Sequence, residues 1–166
     1  MTPSDKLFEL IIERTLAHEG DYSNNSSDAG GETKYGISKR SYPNIDIKNL
    51  TLEQAKNIYK KDFWDNQACS SIEDINLASK VFDLGVNMGT KNAVMLLQRA
   101  LKANGVKTLE DDGIYGRATI DAVKNIDSKK VLIALRSEAA GYYRRLVTAN
   151  QSQKVFLKGW LNRAYA

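Results

Sequence analysis

Two acidic side chains set the chemistry this chain can attempt. Glu19 ends a segment in which Leu7, Phe8, Ile11, Ile12 and Leu16 recur at helical spacing. At about 100° per residue, Glu19 falls close in angle to Phe8, Ile12 and Leu16, on the apolar, inward face. A carboxyl there loses hydration of its charged form, so its pKa rises. That suits a general acid that protonates a leaving oxygen near neutral pH. The competing reading is a helix-end glutamate that rotates into water. The segment after Glu19 weighs against that reading. Asp28 lies nine residues on and Thr33 five further, in a stretch where Gly30 and Gly31 let the backbone fold back. A carboxyl pair, or one carboxyl with a held water, is the equipment of glycoside hydrolysis. Thr33 has the hydroxyl to orient such a water. Taken alone, Asp28 reads equally as an ordinary turn residue.

Other chemistries find less support. His18 is the only histidine, and no G-x-S-x-G accompanies it, so a nucleophilic triad has little to build on. His18 could tune the neighbouring acid or simply face solvent. Cys69 is the only cysteine, which excludes an internal disulfide and a cysteine metal cluster; it reads as a small buried hydrophobe. Asp21, Ser23, Asn25 and Glu32 fall at calcium-loop spacing, but Ser26 stands where the sharp turn wants glycine. No metal or cofactor is expected. Neither standard phosphate-loop pattern occurs, and no nucleic-acid motif is present.

The elements that must position these residues are mostly helices. Thr2-Pro3 opens the first, which runs to about Glu19. Residues 20–38 are rich in Gly, Asn, Ser and Asp and read as loop, turn or short irregular strand. Connections of that length tend to be functional or disordered, and Tyr22 and Tyr35 within it favour functional. Thr51 with Gln54 predicts a capping box opening a helix to about Trp64. Leu77 to Val86 reads as a buried helix. Thr90 is the expected cap of a helix over 91–103 that stops at Gly105. Residues 111–116 form a turn, followed by a short helix over 119–126. Ser128 is the expected cap of a long helix to about Thr148, and a last helix covers roughly 153–165.

The chain has 166 residues, enough for one domain or a catalytic domain with a small appendage. No apolar run reaches the length of a membrane span, so no membrane insertion is expected. The first ten residues carry charge and lack an apolar h-region, so a signal peptide is not expected. Synthesis in the cytoplasm follows, and an outside target requires carriage by something else. The net charge of +4 is unevenly spread: fourteen Asp/Glu and ten Lys/Arg through Asp83, then fourteen Lys/Arg and six Asp/Glu. An acidic half followed by a basic half suits a catalytic part joined to a part that meets an anionic polymer.

The residues from Glu19-Gly20-Asp21-Tyr22-Ser23-Asn24 through Asp28-Ala29-Gly30-Gly31-Glu32-Thr33-Lys34-Tyr35-Gly36-Ile37 resemble the signature of glycoside hydrolase family 108. That family contains N-acetylmuramidases, including phage-type endolysins and proteins once called secretion activators. Val81-Phe82-Asp83-Leu84-Gly85-Val86-Asn87-Met88-Gly89 resembles a second family segment, which is expected to line the cleft. The resemblance spans roughly 7–89 and implies that Glu19 is the catalytic acid. The chain departs from the family pattern at Asp21, where a second glycine is more usual, and at Asn25-Ser26, where Asp-Pro is usual. The spacing of Glu19, Asp28 and Thr33 is also similar to the Glu-Asp-Thr arrangement of phage lysozymes, which implies an inverting mechanism. Asn92 to Leu101, Asp112 to Thr119, and Gly159-Trp160-Leu161-Asn162-Arg163 resemble the predicted peptidoglycan-binding module that follows in this family.

The resemblance implies a mainly α, lysozyme-like catalytic domain over 1–90, with at most a short β element after the first helix. A small helical module over 91–166 is expected to pack against it. The implied activity is hydrolysis of the β-1,4 bond between N-acetylmuramic acid and N-acetylglucosamine in peptidoglycan. With Glu19 as the acid, Asp28 and Thr33 are expected to position or activate water, and Tyr22, Tyr35 and Asn87 are candidates for the sugar-binding cleft. A non-catalytic wall-binding or export accessory and a lytic transglycosylase are the alternatives. Phage-type lysis and wall opening for secretion both fit. The expected chain is a monomer that reaches the wall in the periplasm through a holin or secretion pore.

Overall fold

The computed structural model describes residues 1–18, 22–24, 31–66 and 69–166, and the side chains of all these except Ala17 and His18. The chain divides into two compact units, Met1–Asn66 and Gln67–Ala166. The sequence boundary near residue 90 falls within the second unit, because the helix before it packs on the helices after it.

The first unit begins with helix α1, Pro3–His18. Thr2 closes a capping box with Asp5: its N–H and hydroxyl donate to the Asp5 carboxylate at 2.8 and 2.7 Å, and the Asp5 N–H donates back to the Thr2 hydroxyl at 3.1 Å. Phe8, Ile11 and Ile12 are buried, as their spacing predicts. The polar stretch yields a small sheet of β1 (Ser23–Asn24), β2 (Glu32–Lys34) and β3 (Ile37–Ser38), antiparallel throughout and in sequence order. Tyr35 and Gly36 form the two-residue turn between β2 and β3 with φ of 51° and 76°. Positive φ at both central residues matches the twist of the flanking strands. Helix α2 (Leu52–Tyr59) opens with the expected capping box of Thr51 and Gln54. It then widens into a π-helical stretch, Lys60–Asp65, instead of continuing as α-helix to Trp64. The widening sets Trp64 in the core, with its ring centroid 5.6 Å from that of Phe8 and its indole N–H donating to the Ser4 hydroxyl at 3.1 Å.

The second unit opens with a 3-10 turn, Cys69–Ser71, in which Cys69 is fully buried, consistent with the small-hydrophobe reading. Five helices follow: α3 (Ile75–Met88), α4 (Thr90–Ala103), α5 (Arg117–Lys124), α6 (Ser128–Ala149) and α7 (Leu157–Tyr165). Helix α6 packs against α3, α4 and α7. Two expected caps are displaced by one residue. Gly89, not Thr90, precedes α4, because the chain reverses there at φ 92° and only glycine takes that conformation without cost. Asp127, not Ser128, caps α6, and its carboxylate accepts from the Lys129 N–H at 3.0 Å. A carboxylate at this position also meets the positive end of the helix dipole. The last expected helix is split into a 3-10 turn, Gln151–Phe156, and α7. In the turn before α5, Gly113 (φ 76°) is obligatory, since a Cβ there would lie 2.8 Å from the Lys91 carbonyl oxygen.

Candidate active site

Glu19, the candidate acid, and Asp28, its candidate partner, lie outside the described residues. The described residues supply the frame around them. Glu19 directly follows α1, whose position is set by contacts with α2 and the π-helical stretch. Lys56 pairs with Glu9 at 3.2 Å and Lys60 with Asp5 at 3.3 Å. Four residues after Glu19 the chain enters β1, where Ser23 lies opposite Thr33 and Asn24 opposite Glu32. This register joins the two ends of the segment that contains Asp28. Thr33 is half-buried in the middle of the sheet, and its hydroxyl donates to the Gly31 carbonyl at 3.2 Å. With its proton so placed, the oxygen is left as an acceptor.

Tyr22 is adjacent. Its hydroxyl donates to Glu32 Oε1 at 2.9 Å across the hairpin. Desolvation raises the Tyr22 pKa, and the Glu32 hydrogen bond and the charges of Glu32 and Asp46 add to the rise. Tyr22 thus stays a neutral hydroxyl, 37% exposed, at the edge of the sheet. Tyr35 occupies the β2–β3 turn. Its carbonyl accepts from the buried Tyr59 hydroxyl at 2.7 Å, and Lys34 Nζ stands 5.4 Å from its ring centroid. Asn87, the remaining sugar-site candidate, belongs to the second unit. It is exposed near the end of α3 and donates to the Tyr143 hydroxyl.

Sequence reasoning did not identify Glu32 as the partner of Tyr22, nor the groove beyond the sheet. Lys39 Nζ donates to the Ile45 carbonyl at 2.7 Å and Lys34 Nζ to the Lys48 carbonyl at 3.2 Å, which fastens residues 45–48 to the sheet. Next to this junction is an open groove of about 430 Å³ lined by Ile45, Asp46, Asn49, Leu50, Gln54, Asn57 and Ile58. Asp46 is held as a carboxylate below its ordinary range by two hydrogen bonds from Asn49, with Lys39 and Lys48 contributing. The only sequence signal for the groove was the density of carboxamides between Asn44 and Asn57. Among the described residues no group of three or more His, Cys, Asp or Glu side chains is arranged to hold a metal ion.

Among the described residues the arrangement is a small sheet carrying a hydroxyl acceptor and a neutral tyrosine, with an adjoining amide-rich groove. Residues 12–89 match the family described as glycosyl hydrolase 108, and residues 92–165 match the predicted peptidoglycan domain. Comparison with curated proteins gives no match. Among solved structures, the SagA protein of Brucella abortus is similar with a TM-score of 0.79 at 21% identity, over 96% of this chain and 90% of that one. That likeness establishes the fold as mainly α and lysozyme-like with a small sheet. The break between the matched segments, at 89–92, differs from the break between compact units at 66–67. Residues 12–89 thus carry a glycosyl hydrolase 108 segment and residues 92–165 a predicted peptidoglycan domain, and together these matches support a glycoside hydrolase acting on peptidoglycan.

Proposed function

We propose that the chain is an N-acetylmuramidase, cleaving the β-1,4 bond between N-acetylmuramic acid and N-acetylglucosamine with Glu19 as general acid. The observation that carries this reading is the Ser23–Thr33 pairing. It sets β1, which begins four residues after Glu19, against β2 within the stretch matched by the hydrolase family. Glu19 protonates the leaving glycosidic oxygen. Asp28 takes a proton from water on the opposite face of the sugar, and the Thr33 oxygen accepts a hydrogen bond from that water and orients it. Attack from that face inverts the anomeric centre. Tyr22, Tyr35 and Asn87 contact the glycan. The chain acts as a monomer at the cell wall, in phage-type lysis or in local wall opening for secretion, reached through a holin-type or secretion pore.

Purified peptidoglycan digested by the wild type and by Glu19→Gln, with products read by mass spectrometry, tests the assignment. Free reducing N-acetylmuramic acid ends are expected from the wild type. Their rate of formation should fall on the order of 10²- to 10⁴-fold in the variant, the range of general acid catalysis. Anhydro ends would make the chain a transglycosylase. A folded wild type that yields no products on several wall types would leave a wall-binding accessory.

A further inference from the structure

The second unit carries a face that the hydrolytic reading does not use. Its last 28 residues, 139–166, contain five Lys/Arg and no Asp or Glu. Arg163 is committed to Asp83, with contacts of 2.9 to 3.2 Å. Lys154 and Lys158 are exposed, and neither is ion-paired with a carboxylate among the described residues. Between them stand Val155, 78% exposed, and Phe156, 56% exposed.

Behind these side chains is a ladder of aromatic rings. Tyr143 is buried in α6, with its hydroxyl held by Asn87. Trp160 of α7 stacks on Tyr143 at 5.3 Å with the ring planes 24° apart. Phe156 follows at 5.7 Å from Trp160, tilted 32°. The ladder therefore runs from the core through the half-buried Trp160 to an open ring. An exposed aromatic on a fixed aromatic base, flanked by unpaired cations, presents a flat apolar surface beside positive charge.

We propose that this face, centred on Phe156 and Trp160 and flanked by Lys154 and Lys158, holds a glycan strand of peptidoglycan. The inference rests on the reading that peptidoglycan is the substrate. A pyranose offers a C–H face that lies on an aromatic ring, and the peptide stems offer carboxylates to the lysines. A lipid surface is the other anionic apolar partner, and the size of the patch disfavours it. Two apolar side chains on a six-residue 3-10 turn are far less than the apolar face of an interfacial helix.

The test uses the full-length chain as wild type, Phe156→Ala, and the double variant Lys154→Glu with Lys158→Glu, whose exposed positions do not threaten the fold. Each is sedimented with purified sacculi and with phosphatidylglycerol vesicles, and sacculus cleavage is followed in parallel. Each variant should bind sacculi about tenfold more weakly, the scale of losing an interface anchor, with an unchanged unfolding midpoint. Wild-type binding to sacculi should weaken with salt, and vesicles should carry down none of the three. Variants that bind sacculi like the wild type, while the wild type still cleaves them, overturn this face and leave the hydrolase reading intact. Vesicle binding that depends on the same residues makes the face a membrane contact and overturns the glycan assignment. A wild type that neither binds nor cleaves sacculi overturns both.

Discussion

The two units hold their shape by different means. The first binds its loops with directional contacts that reach across the sequence. Examples are Tyr59 to the Tyr35 carbonyl, Lys39 to the Ile45 carbonyl, Lys34 to the Lys48 carbonyl and Trp64 to Ser4. The second packs long helices along continuous apolar faces and buries few polar side chains among the described residues, chief among them a hub at Gln98. Gln98, 1% exposed, donates to Asp112, Ile114 and Thr119 and accepts from the Gly113 N–H. The difference follows from what each segment carries. Irregular backbone can shape a reactive site but leaves polar groups that must be satisfied one by one. Helices satisfy their own backbone and leave their side chains for packing.

The comparison breaks most sharply at Trp64. This side chain is fully buried and joins α1 to the π-helical stretch. Trp64→Ala should cost about 3 to 5 kcal/mol, the range for removing a large buried aromatic ring. Denaturant unfolding followed by two probes, one in each unit, measures it. If the units are separately stabilised, the probe in the first unit shifts, the probe in the second does not, and sacculus binding outlasts cleavage. A single shifted transition at both probes would show that the loop-built and helix-built units unfold together.

A second contrast is electrostatic. On α3, Lys80 is buried and its ammonium donates to the Arg163 carbonyl at 2.6 Å. Burial lowers its pKa from 10.5 to about 8, against the pull of Asp83 and with a further push from Arg136 and Arg163. Between pH 8 and 10.5 the unfolded chain keeps a proton that the folded chain has lost. Stability from this group therefore rises with pH across that window, by up to about 3 kcal/mol, and the cost of the buried charge is fully present below it. The difference in unfolding free energy between wild type and Lys80→Met, followed from pH 7 to 10.5, should show the rise. A flat difference would mean that Lys80 titrates as an ordinary surface lysine. On the acid side the units behave alike. Asp5, bonded to Thr2, and Asp111, bonded first to Arg99 and then to Lys102, are each held at about 2. Their contribution is complete above the ordinary carboxylate value of 3.8 and fades as pH falls towards 2.

The helix-built unit was also the more legible in sequence. Leu96, Leu97, Ala100 and Leu101 announce α4 by period alone, and all four are fully buried. Its misread caps, Gly89 for Thr90 and Asp127 for Ser128, have one cause. Neighbouring residues were both acceptable caps by type, and the path of the chain chose between them. In the first unit, α1 and the Thr51 capping box were plain, but the sheet was not. Strands of two or three residues are too short to show an alternating pattern. The pairing of Tyr22 with Glu32 follows only once the register is known. Glu19, Asp28 and Thr33 were singled out by type and spacing, and of these the sheet positions Thr33. The π-helical stretch had no local signal, because its reason is the burial of Trp64 against α1.

The smallest expected effect is the most specific to the loop-built unit. Tyr35 is the only non-glycine among the described residues with positive φ, and it sits in the turn that sets β2 against β3. The left-handed region costs a residue with a Cβ about 1 to 2 kcal/mol. The Tyr59 hydroxyl, reaching from α2, bonds the carbonyl of that strained residue. Tyr59→Phe keeps the buried ring and removes the bond, so stability should fall by only about 1 kcal/mol. A strand set by this turn carries Thr33, so the loss should register in turnover beyond what the small unfolded fraction explains. Steady-state cleavage of a soluble glycan fragment well below the unfolding midpoint separates the two effects. A fall in kcat with KM nearly constant would show that the α2-to-turn bond positions the Thr33 hydroxyl for the role proposed for it. Unaltered kcat with the stability loss intact would make Tyr59 a structural clamp for the sheet and nothing more.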